Sequence, residues 1–118
     1  MQDYRQLKVW EKSHQFTLAV YAVSKEFPKD ELYSLTNQLR RASASIPSNI
    51  AESCGRMTKP DFASYLKNIA LGSSNESEYF ILLAKDLGYI SLVKFEALTK
   101  TINEIKAMLI NLISKVRV

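Results

Sequence analysis

The 118-residue sequence has one cysteine, one histidine, three glycines, three prolines and no long apolar run. Each scarcity excludes something. Cys54 alone cannot close an internal disulfide, so nothing requires an oxidising compartment. His14 and Cys54 have no metal-ligand spacing between them, and no motif places an Asn or Asp to orient them as a catalytic pair. Few glycines and prolines leave little to interrupt long helices. The longest apolar stretch, Phe16 to Val23, includes Thr17 and is far too short to span a membrane. The opening residues, MQDYRQLK, are polar and carry no signal-peptide core, so the cytoplasm is the expected compartment. No P-loop, GxGxxG or HExxH pattern occurs. No cofactor, metal, small-molecule substrate or enzymatic chemistry is expected.

What remains is an ordinary globular composition, 47% hydrophobic and 24% charged, with a net charge of +4. That excess permits an anionic partner without requiring one. The length fits one domain, residues 1–118, around one core.

Apolar residues recur at helical spacing in four segments. Val9, Phe16, Val20, Val23 and Phe27 predict a first helix from Tyr4 to Phe27, stopped by Pro28. Leu32, Leu35, Leu39, Ala42, Ile46 and Ile50 predict a second, from Asp30 to about Gly55. Its spacing continues across Pro47, so the helix either kinks there or stops and restarts. A third helix is predicted from an N-cap at Thr58 to a C-cap at Gly88, with the stripe Phe62, Leu66, Ile69, Ser73, Glu76, Phe80, Leu83 and Leu87. Gly72 in its middle implies close approach of a neighbouring helix. A fourth, from about Ser91, carries Phe95, Leu98, Ile102, Ile105, Leu109, Leu112 and Val116. The expected fold is all-α: an up-down-up-down four-helix bundle, with helix 2 kinked at Pro47.

Two helices have more apolar surface than one core needs. Trp10, His14, Leu18 and Tyr21 form a second face on the first, and Met108, Ile110 and Ile113 flank the stripe of the fourth. Such helices are buried on more than one side, which makes these seven residues candidates for a subunit interface.

The stretch RRASASIPSNIAE, residues 40–52, carries a polar edge. Gln38, Arg41, Ser45, Asn49 and Glu52 step along one side of the second helix. Glu76 lies on the core stripe of the third helix with Ser73 one turn before it, and a carboxylate there needs a partner. These seven residues are expected to form a buried structural network centred on an Arg41–Glu76 pair, with Arg40 differing from Arg41 in exposure. Pro47 has no N–H for the carbonyl of Ser43, so that carbonyl needs another donor. The basic residues Arg5, Lys8 and Lys12 line one face of the first helix, and Arg40, Arg56 and Lys59 add charge elsewhere. These six are the candidates for phosphate-backbone contact. The sequence interleaves no aromatics with them, so base stacking is not expected.

The segments LKVWEKSHQF, FPKDELYSLTNQLRRASASIPSNIAE and IALGSSNESEYFILLAKDLGYI resemble the four-helix-bundle proteins also called the 23S rRNA intervening-sequence protein family. Trp10, Phe27-Pro28, Glu31, Leu35, Gln38, Arg41-Ala42, Ser45-Ile46-Pro47, Asn49 through Glu52, Gly72-Ser73 and Glu76 carry the resemblance in order. The chain departs from it at Ser53, where glycine is usual. The resemblance implies a ring-like oligomer, a homopentamer; it does not imply an enzyme. A related branch, the accessory protein of diversity-generating retroelement reverse transcriptases, implies contact with RNA, DNA or a nucleic-acid enzyme. A protein–protein adaptor with no nucleic-acid role is the alternative.

Overall fold

A computed structural model of the chain describes residues 3–117, which form four helices and, among them, no strand. A short 3₁₀ turn, Tyr4–Gln6, is capped by the Asp3 carboxylate, which accepts from the Arg5 amide at 3.0 Å. Helix α1 follows at Lys8–Ser24. Helix α2 covers residues 32–53, a π-helical turn at Leu32–Thr36 running into α-helix at Asn37–Ser53. Helix α3 covers residues 59–86, with a π-helical turn at Leu66–Ala70 between Lys59–Tyr65 and Leu71–Asp86. Helix α4 is Leu92–Arg117. Each packs on its sequence neighbours, and α1 closes against α4, giving a bundle 44 Å long and 24 × 21 Å across.

The core sits where the stripes predict for most of the chain. Phe16 and Val20 from α1, Leu39, Ile46 and Ile50 from α2, and Ile102, Ile105 and Leu109 from α4 are fully buried. The predicted helix starts and stops have physical counterparts. Thr58 accepts the Asp61 amide at 3.2 Å, with Pro60 in the first turn. At the other end of α3, Gly88 adopts φ +81°, and the amides of Gly88 and Tyr89 reach the carbonyls of Lys85 and Ala84 at 2.9 Å. Tyr89 then packs on Phe27 and donates its hydroxyl to Glu31 at 2.7 Å, tying the α3–α4 turn to the start of α2.

Five expectations need correcting. The first helix ends at Ser24 rather than Phe27. Ile113 belongs to the core, while Leu112 and Val116 are only partly buried. The largest correction lies in α3. Its inward face is Leu66, Ala70, Ser74, Ser77, Ile81 and Ala84, so after Leu66 every stripe position moves by one residue. The π turn at Leu66–Ala70 is the cause: one added residue rotates all that follows by about 100°. Glu76 is therefore exposed instead of lining the core, as are Ile69 and Leu87. A Cβ on Gly72 would meet nothing within 4 Å, so this glycine does not serve close approach within the chain. A π turn at Leu32–Thr36 acts likewise on α2, burying Leu35 and Thr36 together and leaving Leu32 exposed.

The inward face of α3 is built largely from small residues. Ser74 and Ser77 are fully buried and donate to the carbonyls one turn back, Ala70 at 2.9 Å and Ser73 at 2.8 Å. Ser13, Ser43 and Ser53 satisfy themselves the same way on α1 and α2. Helix α2 runs without interruption through the buried Pro47. The Ser43 carbonyl that proline leaves open is met from α1: the Thr17 hydroxyl lies 2.9 Å from it and 3.0 Å from the Ser13 carbonyl. A backbone defect in one helix is thus repaired by a side chain of its neighbour.

Candidate nucleic-acid interface

In an up-and-down bundle the starts of α1 and α3 share an end with the finishes of α2 and α4. That topology gathers Arg5 and Lys8 from the beginning of α1, Arg56 from beyond α2, Lys59 from the first turn of α3 and Lys115 from the last turns of α4. All five are exposed. Arg56, Lys59 and Lys115 line one hollow of about 360 Å³, together with the exposed Met57, the buried Phe62 and Cys54, and Val116. Burial pushes the Cys54 thiol above its ordinary range, which keeps it protonated and inert.

The other basic candidates are engaged within the bundle. Lys12 forms an ion pair with Glu104 across the groove between α1 and α4. Arg40 is half-buried: its Nε donates to the Ser24 hydroxyl at 2.8 Å and its guanidinium lies 4.9 Å from the centre of the Tyr21 ring. Arg40 therefore locks α2 to α1. Arg5 contacts Asp3 at 3.2 Å and lies 5.7 Å from the Tyr4 ring centre; Tyr4 meets Trp10 edge-on, and Trp10 stacks on His14. Arg56 lies 4.3 Å from the Tyr65 ring centre and reaches Glu52 at 3.8 Å. Aromatic rings thus do accompany the arginines at this end, a juxtaposition that the linear sequence conceals.

Three of the seven residues of the expected polar network, Ser45, Asn49 and Ser73, are hydrogen-bonded together inside the chain. The Ser45 and Ser73 hydroxyls are hydrogen-bonded between α2 and α3. Asn49 donates to the Ser45 carbonyl at 2.7 Å and accepts from the Tyr65 hydroxyl at 3.2 Å, which adds Tyr65 as an unforeseen member. Glu52 is exposed and turns toward Arg56. Gln38, Arg41 and Glu76 line an open hollow with Ser45 and Phe80. Arg41 and Glu76 are both exposed, and no ion pair joins them among the described residues, so the buried pair does not exist in the single chain. The arginine that is tucked in is Arg40, the reverse of expectation.

Of the interface candidates, Leu18, Tyr21 and Ile110 are exposed, Trp10, His14 and Met108 are half-buried, and Ile113 is in the core. Ile69, Tyr79 and Leu82 on α3 add exposed apolar surface that sequence periodicity assigned elsewhere or missed. Lys115 was missed as a basic candidate, although its place in the last turns of the fourth helix puts it at the same end as Lys59. Among the described residues, no group of three or more His, Cys, Asp or Glu side chains is arranged to hold a metal, and no helix is long and apolar enough to cross a membrane.

No functionally curated protein matches the chain. A crystal structure of a protein of unknown function from the S23 ribosomal protein family, from Bacteroides thetaiotaomicron, is similar at a TM-score of 0.81 and 30% identity, over 89% of this chain and 97% of that one. The family model for the 23S rRNA-intervening sequence protein matches residues 5–111, spanning all four helices. On that match the chain belongs to the 23S rRNA-intervening sequence protein family.

Proposed function

We propose that this protein is a non-enzymatic cytoplasmic module that assembles with itself, as a ring-like homopentamer, and holds the phosphate backbone of RNA or DNA on its basic end. One observation carries the reading: Arg56, Lys59 and Lys115, from widely separated parts of the sequence, line one hollow at the end of the bundle where the first helix, with Arg5 and Lys8, begins. Repeating that end around a ring multiplies the local field and favours a polyanion over a small anion. The exposed Leu18, Tyr21, Ile69, Tyr79, Leu82 and Ile110 supply apolar surface for the subunit contacts. A bend of α2 at Pro47 belongs to the same reading, with Thr17 holding the freed carbonyl.

Binding of a generic RNA across a salt series tests the proposal. The affinity should fall linearly in log–log form as counterions are released. Absence of binding at low salt, or binding indifferent to salt, overturns it. The second reading, a protein–protein adaptor, rests on the same exposed apolar residues. Partner capture that survives nuclease treatment would favour it. A stable monomer in sedimentation would contradict the assembly common to both.

A further inference from the structure

The hollow at the basic end has a property that backbone contact alone does not need. Arg56, Lys59, Lys115 and Met57 stand around it, the buried Phe62 and Cys54 and the half-buried Val116 lie beneath, and no acidic side chain lines it. Met57 is 89% exposed, a large apolar side chain standing among three cations. At about 360 Å³, the hollow falls within the size range of small-ligand sites. Next to it the exposed Arg56 has its guanidinium carbon 4.3 Å from the centre of the Tyr65 ring. Arginine planes backed by an aromatic ring are surfaces on which unpaired bases stack. The charge calls for phosphates, and the apolar floor calls for a flat uncharged group attached to them.

We infer that the hollow receives an unstacked base of a single-stranded nucleic acid, held between Met57 and Arg56 above Phe62, while Lys59 and Lys115 hold the flanking phosphates. This rests on the nucleic-acid reading above and narrows it: the partner is single-stranded, because bases stacked inside a duplex cannot enter a recess. Glu52 neutralises part of Arg56 from outside the hollow, so the arginine contributes its plane as much as its charge.

Fluorescence anisotropy with three labelled probes of equal length tests it: a single-stranded RNA, the same strand with abasic sites, and a duplex. The single strand should bind at least about fivefold tighter than the abasic strand, the scale of one base stacked on protein. Met57→Ser, at an exposed position, should erase that preference between the two strands. Equal affinity for single-stranded and abasic probes overturns the base site and leaves backbone binding standing. So does a preference that persists in Met57→Ser, or tighter binding of the duplex. If none of the probes binds at low salt, both readings fall.

Discussion

Removing the Thr17 hydroxyl tests how α2 tolerates a proline in its middle. In the native chain that hydroxyl lies 2.9 Å from the Ser43 carbonyl, which Pro47 leaves without its helical donor. Ser43 is fully buried and Thr17 is 8% exposed, so water does not readily take over. Thr17→Val keeps the shape and strands the acceptor, at a cost of about 1–3 kcal/mol. Burial of the new methyl returns about 0.8 kcal/mol of that, so the single variant is a blunt test. The pair is sharper. Pro47→Ala restores an N–H to the Ser43 carbonyl, and in that background Thr17→Val should lose little or gain slightly. The coupling energy across the double-mutant cycle should be about 1–2 kcal/mol, measured by urea denaturation at one fixed protein concentration. In thermal melts a loss of 1 kcal/mol corresponds to roughly 4 °C, from about 2.1 cal/mol/K of unfolding entropy per residue. Coupling below about 0.5 kcal/mol, the range of independent sites, would refute the repair of α2 by α1.

Two further outcomes follow from the placement of charged groups. Glu76→Ala should change stability by less than about 0.5 kcal/mol at protein concentrations where the chain is monomeric, because Glu76 is exposed; a loss of several kcal/mol would restore the buried pair with Arg41. Glu31 accepts from Ser34 at 2.5 Å and from Tyr89 at 2.7 Å, and these bonds, Ser34 first, hold its carboxyl below the ordinary range. The unfolded chain then takes up a proton before the folded one. This contribution is therefore present above the ordinary carboxylate pKa and fades as pH falls through the lowered one. Glu31→Gln should flatten that part of the stability–pH profile; an unchanged acid limb would contradict the assignment.

The four helices were legible because their signals are local. Thr58 and Gly88 mark the ends of α3 by chemistry that acts within a few residues, and the stripes of α1 and α2 need only helical spacing. The inward face of α3 was not legible. Ile69, Ser73, Glu76, Phe80 and Leu83 make a better amphipathic pattern than Ala70, Ser74, Ser77, Ile81 and Ala84, yet the latter pack inward. The π turn at Leu66–Ala70 supplies the rotation that sets the small residues inward, a local feature that helical spacing does not encode. Arg40 and Arg41 were exchanged for a related reason. They are about 100° apart on α2, and which one meets α1 depends on how the helices are arranged around the bundle, which periodicity does not encode. The basic cluster was half legible. Arg56 and Lys59 were visible as charges, and topology places them with Arg5, Lys8 and Lys115.

The central claim, that this end of the bundle holds a nucleic-acid backbone, is most directly tested by comparing the native chain with an Arg56→Ala, Lys59→Ala, Lys115→Ala variant in RNA binding across salt. Each phosphate contact on a single strand contributes a slope of about −0.7, so the variant should bind more weakly and its slope should shrink by about 1.4 for the two lysines, with up to about 0.7 more from Arg56. A variant that keeps the native affinity and slope would contradict the account.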